Sequence, residues 1–329
     1  MRTTTSLSGC LLLFFLAAPL EAQAGRITPA LMMQHIGALA DDSMRGRGTP
    51  SPELDKAAQY VEAVFRHAGL VAAGDSGGFI QRFPVRGGTA PNVIGVMRGH
   101  DRRLAGEYVV VVAHLDHLGT ASSSNGCRAS GADSICNGAD DNASGSAGLL
   151  ALVSALSGSP PRPRRSILFL SVTGEERGLL GSRWYVGHPT VPLDSIVGLV
   201  NLDMIGRNSP DSIFLNGWGK STLSSLVQKL AAQHHELGLS VGPDIEDRPT
   251  TPGDSDHFPF QRRGVPYIFF YSGEHHDYHR VTDEPSRIDA DKASRVARLA
   301  FFTVQSVAND SASPAWDPES RRLNVADRP

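Results

Sequence analysis

Five consecutive apolar residues at positions 109–113, Val-Val-Val-Val-Ala, constrain the fold more than any other stretch. Such a run is typical of a strand that is buried on both faces, as strands of a parallel sheet are. It is followed at once by His114-Leu115-Asp116, whose imidazole and carboxylate groups belong at the end of a buried strand. Ligands of open α/β sheets bind at the carboxyl ends of the strands. We therefore expect a functional site beside residue 114.

Similar apolar runs recur along the chain and alternate with stretches of helical periodicity. The runs include Ile167–Val172, Ile196–Leu202 and Tyr267–Tyr271, and the helical stretches include 51–69, 147–156, 221–237 and 292–307. This alternation predicts an α/β domain with a mostly parallel central sheet flanked by helices. We expect a single domain over residues 25–308, with no inserted domain, and a polar, flexible tail over residues 309–329.

The first 24 residues have the pattern of a cleavable export signal. Met1-Arg2 begins a short basic region, Leu11–Leu20 is apolar, and Ala22-Gln23-Ala24 forms a small-x-small cleavage site. The apolar stretch is too short to span a bilayer comfortably, although an uncleaved anchor is the alternative. We expect a secreted or periplasmic protein without a membrane span. The formal net charge of −3, without a basic cluster, excludes nucleic acid as an expected partner.

Two cysteines remain after the expected cleavage, Cys127 and Cys136, in a loop rich in Ser and Gly. In an exported protein these residues are expected to form a disulfide, with two free thiols as the alternative. Their spacing is not that of a Cys-x-x-Cys motif, so a thiolate zinc site is not expected.

Metal-binding residue types follow three of the apolar runs: His114, the pair Glu175-Glu176, and Asp203. Because side chains at one edge of a sheet converge, these residues are expected to meet. A His/carboxylate set without thiolates suits catalytic Zn²⁺, and Mn²⁺ or Co²⁺ could substitute. The adjacent Asp140-Asp141 pair and a histidine-rich run at 275–279 add further donors. So many acidic groups favour two metal ions bridged by a carboxylate.

Taken together, these motifs resemble the M28 family of dizinc exopeptidases, and the similarity extends over roughly residues 27–305. The matching segments are His114-Leu115-Asp116, Gly138–Gly145, Gly174-Glu175-Glu176, Asn201–Met204 and Tyr278-His279. Met44–Thr49 and the helix after it also resemble the bacterial aminopeptidase branch of that family. The resemblance implies a zinc-dependent exopeptidase fold.

The resemblance also implies a set of metal ligands. His114 and Asp203 would bind one zinc ion, and Glu176 and His279 the other. Asp141 would bridge the two ions, and it is preferred to Asp140 because it stands four positions before Gly145, as the bridging aspartate of the family does. The peptide bond that follows this aspartate is cis in the family.

Three further residues receive catalytic roles from the resemblance. Glu175 would be the general base, a role that its position beside a metal ligand supports independently. Asp116 would accept a hydrogen bond from the imidazole of His114. Tyr278 would donate to the developing oxyanion.

Other polar residues near these motifs are given more modest interpretations. His117 is expected to be structural, with its side chain directed away from His114. On composition alone, His275 and His276 are alternatives to His279 as a ligand. The Asp256-His257 pair has two open interpretations, substrate contact and loop structure.

The resulting hypothesis is a secreted zinc aminopeptidase that hydrolyses N-terminal residues from peptides with a free N-terminus. The alternatives are a carboxypeptidase or dipeptidase on the same scaffold, a glutaminyl-cyclase-like enzyme that uses one zinc, and a catalytically inactive binding domain. The complete set of ligands and the presence of Glu175 argue against the last two alternatives.

Overall fold

The apolar runs assemble into one central sheet. The computed structural model describes residues 20–122, 124–158, 162–243 and 255–325. Its strands are β1 (Val71–Ala72), β2 (Ile80–Val85), β3 (Gly88–Met97), β4 (Tyr108–His114), β5 (Gly119–Thr120), β6 (Ile135–Cys136), β7 (Ser166–Val172), β8 (Ile196–Leu202), β9 (Ser212–Asn216), β10 (Ser240–Pro243) and β11 (Tyr267–Tyr271). In the described part of the chain, nine strands form a sheet of order β1-β3-β7-β4-β8-β11-β9-β10, in which β2 pairs with β3.

This sheet is parallel at its centre and mixed towards its edges. Strands β7, β4, β8 and β11 run parallel to one another. β3 lies antiparallel to β2, because the short connection between these two strands permits only antiparallel pairing. β3 also lies antiparallel to β7. β9 lies antiparallel to β11. The predicted α/β domain with a mostly parallel central sheet is confirmed. Residues 79–85 and 92–97 were predicted as strands, but the antiparallel direction of β2 and β3 and the presence of β9 were not predicted.

Helices cover both faces of the sheet, as predicted. They are α1 (Pro29–Leu39), α2 (Pro52–His67), α3 (Gly145–Leu156), α4 (Leu180–Gly187), α5 (Thr222–Gln233), α6 (Phe258–Gln261), α7 (Ala290–Asn309) and α8 (Pro318–Val325). All residues of β4 are buried. The odd-numbered residues of its apolar run belong to the same apolar core as residues of α1, α2, α3, α5 and α7, and the even-numbered ones to a second core that includes residues of α4 and α6. Ser51 caps α2 by accepting a hydrogen bond from the amide of Leu54 at 3.0 Å.

Part of the predicted flexible tail makes defined contacts with the rest of the protein. Trp316 donates from Nε1 to the carbonyl of Gly264 at 2.8 Å, and its ring meets the ring of Tyr267 edge-on. The carbonyl of Ala315 accepts a hydrogen bond from the amide of Thr222 at 2.9 Å. One large apolar side chain therefore anchors a segment whose composition is otherwise polar. Residues 326–329 lie outside the described residues.

Residues 1–19, most of the predicted export signal, also lie outside the described residues. At the end of the signal, Gln23 and Ala24 are buried, and Gln23 Oε1 accepts a hydrogen bond from Gln305 Nε2 at 3.2 Å. Among the described residues, no helix combines the length and the apolar character needed to cross a membrane. Cleavage after residue 24 stays a prediction.

Cys127 and Cys136 form the expected disulfide, with Cα atoms 5.9 Å apart. Cys136 lies in β6, which pairs with β5 in a separate two-stranded sheet. Val281 packs against the disulfide, and it lies two residues after His279. The bridged loop therefore adjoins one of the predicted metal ligands.

Candidate metal centre

The predicted metal ligands meet at the carboxyl edge of the parallel strands. His114 is the last residue of β4, and Asp203 directly follows β8. Glu176 lies in a short 3-10 turn after β7. Asp141 belongs to the loop that leads into α3, and His279 to the loop after β11. The parallel strands thus gather side chains that are far apart in the sequence.

The loop that carries Asp141 is fixed by the side chain of Asn142. The peptide bond between these two residues is cis, as the family resemblance implied. Asn142 donates from Nδ2 to the carbonyl of Leu202 at 3.0 Å, and its Oδ1 accepts from the amides of Gly145 and Met204 at 2.9 and 3.2 Å. A Cβ at Gly145 would lie 2.2 Å from that Oδ1, so only glycine fits there. Asp141 is thereby held against the end of β8.

A first cluster consists of His114, Asp141 and Asp203. His114 Nε2 lies 3.4 Å from Asp141 Oδ1 and 3.3 Å from Asp203 Oδ1. All three side chains are buried. Their ligand atoms are close enough together to hold one metal ion.

The hydrogen bond predicted between His114 and the Asp116 carboxylate is replaced by another. His114 Nδ1 lies 3.1 Å from the main-chain carbonyl of Asp116 and 3.8 Å from its carboxylate. The carboxylate is engaged elsewhere, because it accepts from Thr49 Oγ1 at 2.8 Å and from the amide of Glu175 at 3.2 Å. Asp116 therefore orients His114 through its main chain and connects the β4 and β7 loops through its side chain.

A second cluster forms on the other oxygen of the Asp141 carboxylate. His279 Nε2 lies 3.3 Å from Asp141 Oδ2 and 3.2 Å from Glu176 Oε2. Each cluster thus contacts a different oxygen of the same aspartate. This is the arrangement that a bridging carboxylate requires.

Asp140, the rejected candidate for the bridge, has other partners. Its Oδ1 accepts from the amide of Gly206 at 2.7 Å, and its Oδ2 lies 3.3 Å from His275 Nε2. His276, the other alternative to His279, has an 88% exposed side chain. Of the three alternatives in this histidine-rich run, the described contacts bring only His279 to Asp141 and Glu176.

The spacing of the donor atoms fits zinc. Ligand atoms about 2.0–2.1 Å from a tetrahedral zinc ion are roughly 3.3 Å from one another. The four contacts within the two clusters span 3.2–3.4 Å. The buried Nε2 of His279 has no hydrogen-bond partner among the described residues, as is appropriate for a nitrogen that binds a metal. The donor set therefore fits one zinc ion in each cluster.

Both clusters strongly favour positive charge. Burial by itself would lower the pKa of His114, but the carboxylate of Asp203 raises it well above its usual value. Burial also opposes protonation of His279, yet the nearby carboxylates of Asp141 and Glu176 raise its pKa to about 10. Metal ions would replace these protons, because a histidine must be deprotonated to act as a ligand.

Glu175 and Tyr278 lie in the electrostatic field of these clusters. Burial raises the pKa of Glu175 well above its usual value, and Glu176 raises it further while His114 opposes the shift. Burial and the nearby carboxylates also raise the pKa of Tyr278, whose ring stacks on His279 with centroids 3.8 Å apart. The phenol therefore keeps its proton, and Glu175 is a carboxylate with an increased affinity for one.

His117 was predicted to be structural, but it joins the second cluster. Its Nδ1 lies 2.7 Å from Glu176 Oε1 and 3.6 Å from Asp141 Oδ2. The segment after β4 has neither helical nor strand periodicity, so the sequence does not indicate the direction of this side chain. The residue type itself, an imidazole three positions after a predicted ligand, was the available signal.

Arg47 is a second residue whose role the sequence did not reveal. Its fully buried guanidinium donates to the carbonyls of Leu115 at 2.8 Å, Asn137 at 2.8 Å and Gly138 at 3.0 Å, and also to that of Leu39. Burial lowers its pKa to about 10, so it remains charged at neutral pH. Arg47 thus ties the N-terminal segment to the loops that present His114 and Asp141.

The segment Ser255-Asp256-His257 packs against the first cluster. Ser255 Oγ donates to Asp203 Oδ2 at 2.8 Å. The buried carboxylate of Asp256 accepts from Ser182 Oγ at 2.6 Å, and burial raises its pKa to about 7. The ring of His257 stacks on Tyr267 and lies tilted against Phe269, both in β11. His257 is therefore part of the core, whereas Ser255 supports a predicted ligand.

Fold and donor set together define a class: α/β proteins with clustered candidate metal ligands at the carboxyl ends of parallel strands. The sequence model of Peptidase family M28 matches residues 92–304, and the chain belongs to this family. Leupeptin-inactivating enzyme 1 of Streptomyces exfoliatus is 29% identical over 241 residues, which cover 71% of this chain and 48% of that protein. The chain spans about half the length of the curated relatives it matches.

Solved structures share the fold. The LapA aminopeptidase of Legionella pneumophila superposes with a TM-score of 0.70 at 18% identity, covering 94% of this chain and 78% of that one. A glutaminyl cyclase of Porphyromonas gingivalis superposes with a TM-score of 0.64 at 17% identity, covering 84% of this chain and 97% of that one. At such identities these similarities show the architecture alone.

Proposed function

We propose that this protein is a two-zinc aminopeptidase that removes N-terminal residues from peptides. One observation carries the proposal: the carboxylate of Asp141 directs Oδ1 to His114 and Oδ2 to His279, so that two metal-binding clusters share it. His114 and Asp203 would hold one zinc ion, Glu176 and His279 would hold the other, and Asp141 would bridge them. Such ions polarise a scissile carbonyl and activate water.

Glu175 is proposed to move the proton. It precedes the ligand Glu176, and its main-chain amide is fixed by the carboxylate of Asp116. Its raised pKa suits a group that accepts a proton from water and passes it to the leaving amine of the peptide.

Tyr278 is proposed to stabilise the developing oxyanion. Its hydroxyl stays protonated, so it can donate a hydrogen bond where negative charge accumulates on the substrate oxygen. Stacking on His279 would hold the phenol beside the second cluster.

We also propose that the protein is exported. The signal-like pattern of residues 1–24 and the disulfide between Cys127 and Cys136 both support an oxidising compartment.

The decisive experiment is digestion of matched peptides with free or acetylated N-termini, followed by mass spectrometry, with and without a chelator. Stepwise, chelator-sensitive loss from free N-termini only is the expected result. Cleavage regardless of acetylation would identify a carboxypeptidase instead. If zinc-loaded protein cleaves none of the peptides, cyclisation of N-terminal glutamine is tested next, because a glutaminyl cyclase shares the fold.

A further inference from the structure

We propose that His117 is a positioning residue that holds one oxygen of Glu176, so that the other oxygen faces the second metal ion. The inference rests on the two-metal site of the proposed function. His117 Nδ1 lies 2.7 Å from Glu176 Oε1, whereas Glu176 Oε2 lies 3.2 Å from His279 Nε2. The two oxygens of this carboxylate thus have separate partners.

His117, Asp141 and Glu176 lie close enough together to hold a metal ion, but the individual distances favour a hydrogen bond from His117 over a role as an additional ligand. Two atoms bound to the same tetrahedral zinc ion are roughly 3.3 Å apart. The contacts of His114 and His279 with their carboxylates, at 3.2–3.4 Å, match that separation. The contact of His117 with Glu176, at 2.7 Å, is instead a hydrogen-bond distance, and its separation from Asp141 is 3.6 Å.

The direction of the hydrogen bond follows from its partners. An ionised carboxylate can only accept, so His117 must donate from Nδ1. Its Nε2 is buried and has no hydrogen-bond partner among the described residues. With the proton on Nδ1, Nε2 carries only a lone pair, and the ring leaves no N–H group unpaired in the interior.

The imidazole has little freedom to adopt another position. A Cβ added at Gly138 would lie 2.5 Å from His117 Cγ, so the ring packs directly on the main chain at that glycine. The main chain of His117 is also held, because its amide donates to the carbonyl of Arg47 at 3.4 Å and it forms an isolated bridge with Gly48. His117 therefore presents a fixed donor to Glu176.

The experiment measures zinc affinity directly, by competition with a chromogenic chelator, and zinc content by elemental mass spectrometry. His117→Leu removes the donor, whereas His117→Asn places an amide N–H near the position of Nδ1. His117→Gln keeps a polar side chain but places its donor farther from the main chain than Nδ1. This variant replaces His117→Leu if the leucine variant does not fold. His276→Leu is the control, because that histidine is exposed on a neighbouring loop.

Wild type and the control are expected to bind two zinc ions. His117→Leu and His117→Gln should still bind two at saturation, but the weaker-bound ion should dissociate about 10- to 100-fold more readily. His117→Asn should restore most of that affinity.

Unchanged zinc affinity in both the leucine and the glutamine variants would overturn the proposal. Loss of one ion at saturating zinc in all three His117 variants would also overturn it, because His117 would then be a ligand. A wild-type protein that binds only one zinc ion would refute the two-metal site itself, and with it this role for His117.

Discussion

Ser255 Oγ donates a hydrogen bond to Asp203 Oδ2 at 2.8 Å, while Asp203 Oδ1 lies 3.3 Å from His114 Nε2. The hydroxyl in turn accepts from Asn201 Nδ2 at 2.8 Å, so its proton is directed at the aspartate. One carboxylate oxygen is thereby restrained and the other is left for the first metal ion. Outer partners of this kind orient metal ligands and tune their affinity.

Replacing Ser255 by alanine should therefore weaken zinc binding at the first cluster by about 10-fold or more. The change is measured by chelator competition on the purified variant. Ser255→Thr keeps the hydroxyl and should retain most of the affinity. Equal zinc affinity in the alanine variant and wild type would show that the hydrogen bond does not orient Asp203.

Glu175→Gln should retain both zinc ions and lose most turnover. Glutamine is nearly isosteric with glutamate but cannot accept a proton, so kcat should fall by about 100- to 10,000-fold. Steady-state kinetics on a peptide substrate and elemental analysis of the same sample test this expectation. Full activity would remove Glu175 from the mechanism.

Asp141→Asn should lose zinc from both clusters, because the bridging carboxylate contacts both histidines. Asp140→Asn is the matched comparison, since Asp140 binds the amide of Gly206 and lies beside His275. Zinc content after dialysis against dilute metal distinguishes the two variants. Two tightly bound ions in Asp141→Asn would exclude Asp141 as the bridge.

His35 should make the stability of the metal-free protein depend on pH. Burial lowers the pKa of His35 to about 4, below the value of 6.5 for the exposed residue. Between these values the unfolded chain binds more protons than the folded protein, so the free energy of unfolding falls as the pH is lowered from 6.5 to 4. The shift corresponds to a loss of about 3 kcal/mol.

Urea unfolding with a chelator present, at several pH values across this range, measures the effect. His35→Gln should show a smaller decrease in the free energy of unfolding than wild type. His67→Gln, an exposed substitution on α2, should behave like wild type. If His35→Gln and wild type lose stability in parallel, the histidine does not titrate as described.

Periodicity and motif spacing predicted most of the sheet because its central strands are continuous apolar runs. The run at 109–113 indicates β4 without any knowledge of its neighbours. β9 and β10 were missed, since these peripheral strands are short, β9 is only partly buried, and no residue of β10 is buried. Their pairing depends on contacts with distant segments, which a local pattern does not contain.

The sequence likewise predicted only some of the residues of the candidate site. His114 and Asp203 were predicted because each terminates an apolar run, and the choice of Asp141 and His279 came from the family resemblance. The contribution of His117 depends on the conformation of an irregular segment, and that of Ser255 on a hydrogen bond across 52 positions. Neither leaves a periodic signal in the sequence.

Because of the contacts of the Arg47 guanidinium, the region that matches the family is not sufficient as an independent unit. Residues 92–304 contain every proposed zinc ligand, but they exclude this arginine and Thr49, which bonds to Asp116. A fragment limited to the matched region would leave the carbonyls of Leu115 and Gly138 without their cation. A homologue that retains all the proposed zinc ligands but lacks the segment with Arg47 and Thr49 would therefore be a poor candidate for an active enzyme, even if it aligns with the whole of residues 92–304.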